Sequence, residues 1–150
     1  MSKRKPVVLF LCSQNSCRSQ MAEALLKKYA GDVFDIHSAG LHPADEVHPL
    51  ARQVMDEIDL PLTGQEPKNL KQYLGKLPVR YAIIVCSIAA RECPTIWPGM
   101  SQRFTWPFDD PAQVEGTEEQ KLAEFRRVRD EIGSRLQEWV KEMPEVTSSS

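Results

Sequence analysis

The sequence predicts a single α/β domain, a three-layer fold in which a four-stranded parallel sheet is flanked by helices. Two kinds of segment carry the prediction. Val7 to Leu11 and Tyr81 to Val85 are uninterrupted apolar runs of strand length, the pattern of strands buried on both faces. Between and after them lie segments whose apolar residues recur at helical spacing. Strands alternating with helices give parallel sheets covered by those helices.

Pro6 closes a basic leader, and the first strand follows over Val7 to Leu11. Met21, Ala22, Leu25, Leu26 and Tyr29 then mark a helix over 18–30, with Gly31 as its stop. Cys12 to Cys17 therefore occupy a strand-to-helix turn. Phe34 to Ser38 read as a second strand, closed by Ala39-Gly40. Val47, Leu50, Ala51, Val54, Met55 and Ile58 form a helical stripe, with Pro49 tolerated in its first turn. A weaker helix is expected through Asn69 to Leu74, and a short last strand at Phe104 to Trp106. Thr117 and Gln120 resemble a capping box opening a long helix that buries Leu122, Phe125, Val128, Ile132, Leu136, Trp139, Val140 and Met143. The domain is taken as residues 1–143 and the tail, 144–150, as disordered.

Of the 150 residues 41% are hydrophobic and 27% charged, and the net charge is −2. This is ordinary globular composition and points to neither nucleic acid nor a membrane as partner. The apolar run before Cys12 is too short for a signal-peptide core or a membrane span. A cytoplasmic monomer is the expectation, and in that compartment thiols stay reduced. Four cysteines, at 12, 17, 86 and 93, then read as catalytic or metal-binding before they read as bridges. Their spacings contain no C-x2-C pair and do not fit zinc, so no metal is expected. His37, His42 and His48 are read as surface or strand-flanking residues.

The turn reads Cys12-Ser13-Gln14-Asn15-Ser16-Cys17-Arg18-Ser19, a C-x5-R-S between strand and helix. Such a turn can aim successive backbone N–H groups at a tetrahedral oxyanion, helped by the positive end of the following helix. Residues 13–19 are the expected anion-binding set, with the planar fork of Arg18 clamping two oxygens. The same field is expected to lower the pKa of Cys12 and make it a thiolate nucleophile.

The segment CSQNSCRSQMAE at 12–23 resembles the active-site loop of the low-molecular-weight tyrosine phosphatase superfamily, and particularly its thioredoxin-coupled arsenate reductase branch. The resemblance continues through Ser38-Ala39-Gly40, Cys86-Ser87, Cys93-Pro94, FDDPA at 108–112 and FRRVRDEIG at 125–133. It implies the four-stranded parallel fold, Cys12 as nucleophile, and a general acid at Asp110, the aspartate directly before Pro111, with Asp109 as the fallback. Gln14 stands where the family usually has glycine, which would strain glutamine if the position needs positive φ. Gln20 follows the reductase pattern, where the phosphatases carry proline. Some reductases of the branch bind potassium near the loop; Asn15, Glu23 and Ser38 match ligand positions, while Lys68 can supply the charge in place of a carboxylate.

Two further cysteines separate the functions this loop could serve. A phosphatase needs only Cys12, Arg18 and an acid. A reductase must also supply two electrons: Cys86 attacks Cys12 and releases arsenite, then Cys93 attacks Cys86, and thioredoxin reduces the resulting disulfide. No bound cofactor is needed. Seven helical residues span about 10.5 Å, whereas disulfide Cα atoms lie roughly 4.4–6.8 Å apart. A helix over 87–93 would therefore have to unwind for Cys86 and Cys93 to pair. Arsenate reductase is the leading expectation, a tyrosine phosphatase the alternative, and an anion-binding thiol sensor without turnover the third.

Overall fold

The computed structural model describes residues 5–73, 76–86 and 102–143. Four strands, β1 (Val7–Cys12), β2 (Asp35–Gly40), β3 (Tyr81–Ile84) and β4 (Gln102–Thr105), form one sheet in the order β2-β1-β3-β4, with every pairing parallel. Among the described residues three α-helices accompany it: α1 (Arg18–Ala30), α2 (Pro49–Asp56) and α3 (Glu118–Glu142). The α/β expectation is met. The Cys93 position, the expected helix over 87–93 and the tail 144–150 lie outside the described residues.

All six residues of β1 and all four of β3 are buried, which is why these strands are apolar throughout instead of alternating. The edge strand β4 has exposed ends and only partly buried middle residues. Phe34, Tyr81, Phe104, Trp106 and Trp139 form an aromatic cluster with ring centroids 5.4–6.1 Å apart, tilted or edge-on as their quadrupoles prefer. Through Trp139 it ties α3 to the sheet.

Several boundaries moved. β2 runs on through Ala39 and Gly40, because β1 continues to pair with it up to Cys12↔Gly40. α2 stops at Asp56, short of Ile58: the chain turns at Asp59 with φ 58°, yet Ile58 still packs on the core. The weaker helix shrinks to a 3-10 turn, Leu70–Gln72, capped by the Asn69 side chain. β4 starts and ends earlier than expected because its register follows β3, from Tyr81↔Gln102 to Ile84↔Thr105. Gly31 does end α1, but in a right-handed conformation. A Cβ there would lie 2.4 Å from the Lys27 carbonyl oxygen, so close approach and not positive φ requires glycine.

The capping box of α3 is formed: Gln120 N–H donates to Thr117 Oγ1 at 3.2 Å, and Thr117 N–H to Gln120 Oε1 at 2.8 Å. Thr117→Ala is expected to cost about 1 kcal/mol. Urea unfolding should show a lower midpoint at unchanged slope.

The strand order decides where chemistry can occur. The chain leaves β1 toward β2 on one side, and β3 and β4 lie on the other, so a topological switch point sits at the carboxyl ends of β1 and β3. Val85 N–H donates to the Leu11 carbonyl at 2.9 Å, which carries residue 86 alongside Cys12.

Candidate active site

The turn from Cys12 to Cys17 is held from outside by its carbonyls. The Cys12, Ser13 and Gln14 oxygens accept from Leu41, His42 and Ala44 N–H at 3.3, 2.8 and 2.9 Å. The Ser16 and Cys17 oxygens accept from His48 and Met21 N–H at 2.8 and 2.9 Å. The Asn15 oxygen accepts from the Gln20 side-chain amide at 3.0 Å. In a trans peptide the carbonyl and the next N–H point in opposite directions. Six consecutive carbonyls turned outward therefore turn the N–H groups of residues 13–18 inward. Among the described residues, none of the Ser13 to Cys17 N–H groups donates to a backbone carbonyl. Inward N–H groups in succession form a nest, an arrangement able to hold a tetrahedral oxyanion.

Four of those clamps come from 41–48, the segment after β2. The Cys12↔Gly40 register lays it beside the turn. Gly40 allows the approach: a Cβ there would meet the Ser13 oxygen at 2.8 Å and Asn15 N at 3.0 Å. His48 is thus a site residue that sequence reasoning placed at the surface. Its backbone clamps Ser16, its Nδ1 accepts from Leu50 N–H at 3.1 Å to cap α2, and its ring packs on Phe125. Burial pushes the His48 pKa below its ordinary value, although Asp110 opposes the change. Periodicity carries no signal for any of this.

Gln14 is exposed and is not among the positive-φ residues, so it brings none of the strain considered for it. Asn15 instead is left-handed, at φ 53°. It is one of the few residue types that tolerate this conformation. Its side chain is fully engaged: Nδ2 donates to Ser19 Oγ at 2.7 Å, and Oδ1 accepts from Lys68 N–H at 2.8 Å.

Arg18 is buried at the start of α1. Its Nη1 donates to the Phe108 carbonyl at 2.9 Å, and Nη2 lies 3.5 Å from Asp110 Oδ2. Its Nε is buried without a hydrogen-bond partner among the described residues, a donor that a bound oxyanion would satisfy. Burial opposes its charge, but Cys12, Asp110, Cys17 and Cys86 together hold its pKa above the ordinary value. The two aspartates part company here. Asp110 faces the nest and also caps the 3-10 turn Pro111–Gln113, whereas Asp109 is largely exposed and pairs with Arg127 on α3 at 2.9 Å.

Cys12, Cys17 and Cys86 are buried. Cys12 and Cys86 are hydrogen-bonded to each other, which with burial holds Cys12 well above the ordinary thiol range; Arg18 and the Gln14 N–H pull the other way. The lowered pKa expected from the helix end and arginine is thus corrected by a partner 74 residues on in the chain. Burial, then Asp110, push Cys17 up to about 12, so it keeps its proton.

Behind the turn, Glu23 accepts from Ser38 Oγ at 2.6 Å and pairs with Lys27 at 2.7 Å, while Lys68 Nζ lies 3.8 Å away. Lysine charge thus occupies the surroundings of the residues that resemble potassium ligands. No cluster of three His, Cys, Asp or Glu suited to a metal occurs among the described residues. A cavity of about 1310 Å³ lies along β2, lined by residues such as Phe34, His37, Tyr73 and Arg80, and holds none of the cysteines. A small tetrahedral anion is gripped by N–H groups and needs no such volume.

Comparison with known proteins agrees with this geometry. The model of the low molecular weight phosphotyrosine protein phosphatase family matches residues 7–148. The arsenate reductase of Halalkalibacterium halodurans is 47% identical over 132 residues, covering 88% of this chain and 93% of that protein. A solved arsenate reductase in its phosphate-binding state superposes with a TM-score of 0.74 at 28% identity, over 89% of this chain and 95% of that one. The thioredoxin-dependent arsenate reductase of Corynebacterium glutamicum gives 0.71 at 28% identity, over all of this chain and 66% of that one. The chain belongs to the low molecular weight phosphotyrosine protein phosphatase family, in its arsenate reductase branch.

Proposed function

We propose that this protein reduces arsenate to arsenite, with Cys12 as nucleophile, Cys86 and Cys93 as a disulfide relay and thioredoxin as the source of reducing equivalents. The observation that carries the reading is the hydrogen bond between the Cys12 and Cys86 thiols at the edge of an anion nest. Phosphate ester hydrolysis has no use for a second thiol there. Two-electron reduction requires one.

The chemistry balances. Hydrogen arsenate binds to the inward N–H groups and the fork of Arg18. The Cys12 sulfur forms a bond to arsenic while an As–O bond breaks. The departing oxygen leaves as water, carrying the proton already on arsenate and one that the Cys12–Cys86 pair releases. Asp110, 3.5 Å from Arg18, is the carboxyl placed to pass that second proton to the leaving oxygen. The net charge of −2 stays on the thiol-bound arsenate. Cys86 then attacks the Cys12 sulfur: the S–S bond forms, the S–As bond breaks, and its electron pair remains on arsenic. With the proton from the Cys86 thiol and two from solvent, arsenous acid leaves. Cys93 displaces Cys12 from Cys86, and a dithiol reductant takes up the last disulfide. The thioredoxin dependence of the Corynebacterium glutamicum relative supports thioredoxin in that role.

The test supplies arsenate, thioredoxin, thioredoxin reductase and NADPH, and follows NADPH oxidation. Wild type is expected to turn over, and neither Cys86→Ser nor Cys93→Ser. Aryl-phosphate hydrolysis that persists in both variants, with no NADPH consumed by wild type, would establish the phosphatase instead. Absence of both activities would leave an anion-binding thiol sensor.

A further inference from the structure

Five of the six outward carbonyls of the nest are tied to backbone N–H groups, which any substitution nearby would leave chemically intact. The sixth, on Asn15, depends on a side chain. Gln20 Nε2 lies 3.0 Å from the Asn15 oxygen, 3.1 Å from Asn15 Oδ1 and 2.9 Å from the Glu66 oxygen. Gln20 is fully buried, and Gln65 Nε2 holds its other end by donating to Gln20 Oε1 at 2.6 Å. Arg52 on α2 in turn holds 62–65, donating to the Leu62 and Gln65 oxygens at 3.1 and 3.4 Å. The amide therefore cannot rotate end for end without placing an acceptor against three acceptors.

We infer that Gln20 is a positioning residue that sets the oxyanion affinity of the nest by fixing the Asn15–Ser16 peptide. This rests on the anion-binding reading of the turn. Holding the Asn15 carbonyl outward keeps the Ser16 N–H inward. It also holds Asn15 in a left-handed conformation that is uncommon for residues other than glycine. Without the clamp the peptide is free to flip. A flip removes one donor from the nest and turns a carbonyl oxygen toward the anion, so the site loses attraction and gains repulsion. Gln20 touches no reacting atom; it acts through Ser16.

The experiment uses the full reduced chain, inorganic phosphate as probe, and amide NMR shifts of residues 13–18, for wild type, Gln20→Met and Gln20→Glu. Methionine keeps the side chain's length without a donor, and glutamate keeps its shape but at neutral pH only accepts. Phosphate binding is expected to weaken by about tenfold or more, the scale of one hydrogen bond to an ionised acceptor. The Ser16 amide response should collapse while the Ser13 and Gln14 amides still respond. The KM for arsenate should rise more than kcat falls. Thermal unfolding identifies a variant that fails to fold; Gln20→Glu, the closer in shape, then decides alone. Affinity within threefold of wild type, or weakening shared evenly by all the loop amides, overturns the inference. Failure of wild type itself to bind phosphate would instead overturn the anion-nest reading on which it rests.

Discussion

Arg18→Lys is expected to lower kcat/KM for arsenate by about 10²–10³-fold, the scale of losing one preorganised donor to a reacting oxyanion. Charge alone would predict a mild effect, since lysine keeps it. Geometry predicts otherwise. The guanidinium already spends Nη1 on the Phe108 carbonyl and sets Nη2 beside Asp110, yet leaves Nε buried with no hydrogen-bond partner among the described residues. A planar fork can hold the Asp110 loop with one edge and the anion with the other. An ammonium, a compact point charge, has to choose. Steady-state kinetics with arsenate, beside phosphate inhibition of the same variant, measure the loss. Retention of more than a third of wild-type kcat/KM would remove Arg18 from its assigned place.

Cys86→Ala is expected to have two effects of opposite sense. Turnover with thioredoxin stops, because no thiol is left to break the Cys12–As bond by attack on sulfur. At the same time Cys12 becomes the more reactive thiol. The hydrogen bond that the Cys12 thiol donates to Cys86 is the largest cause holding the Cys12 pKa up, and the Cys86 charge adds to it. Removing both lowers the pKa, while Arg18 and the Gln14 N–H still favour the thiolate. The sign is fixed: below the wild-type pKa, a lower value means more thiolate at a given pH. Iodoacetamide labelling of the Cys12 peptide, followed by mass spectrometry, should be faster at pH 7 in Cys86→Ala than in wild type. Its pH dependence should move to lower pH. Slower labelling, or an unmoved profile, would show that the thiol pair does not control Cys12.

These two residues show how far reading the chain could reach. Cys12 and Arg18 lie within one turn, so a local pattern of strand, C-x5-R and helix was enough to single out both. Between the two aspartates of FDDPA the resemblance favoured Asp110, with Asp109 as the fallback. Asp109 and Asp110 are adjacent and chemically alike, and only the folded loop turns one to Arg18 and the other to Arg127. The thiol pKa was legible in part: the helix end and arginine were visible in sequence. Cys86 as hydrogen-bond partner was not, because parallel pairing of β1 with β3 brings it there.

By itself the sequence determined the apolar strands, the amphipathic helices, the strand-to-helix turn with its C-x5-R pattern and the set of cysteines, since each depends on residues close along the chain. Only the tertiary structure decided which way six carbonyls point, that segment 41–48 and Gln20 hold them, and that Cys12 is hydrogen-bonded to Cys86. Those depend on strand register, and register is set by the burial of whole strands against each other, a sum over many residues that no single motif contains.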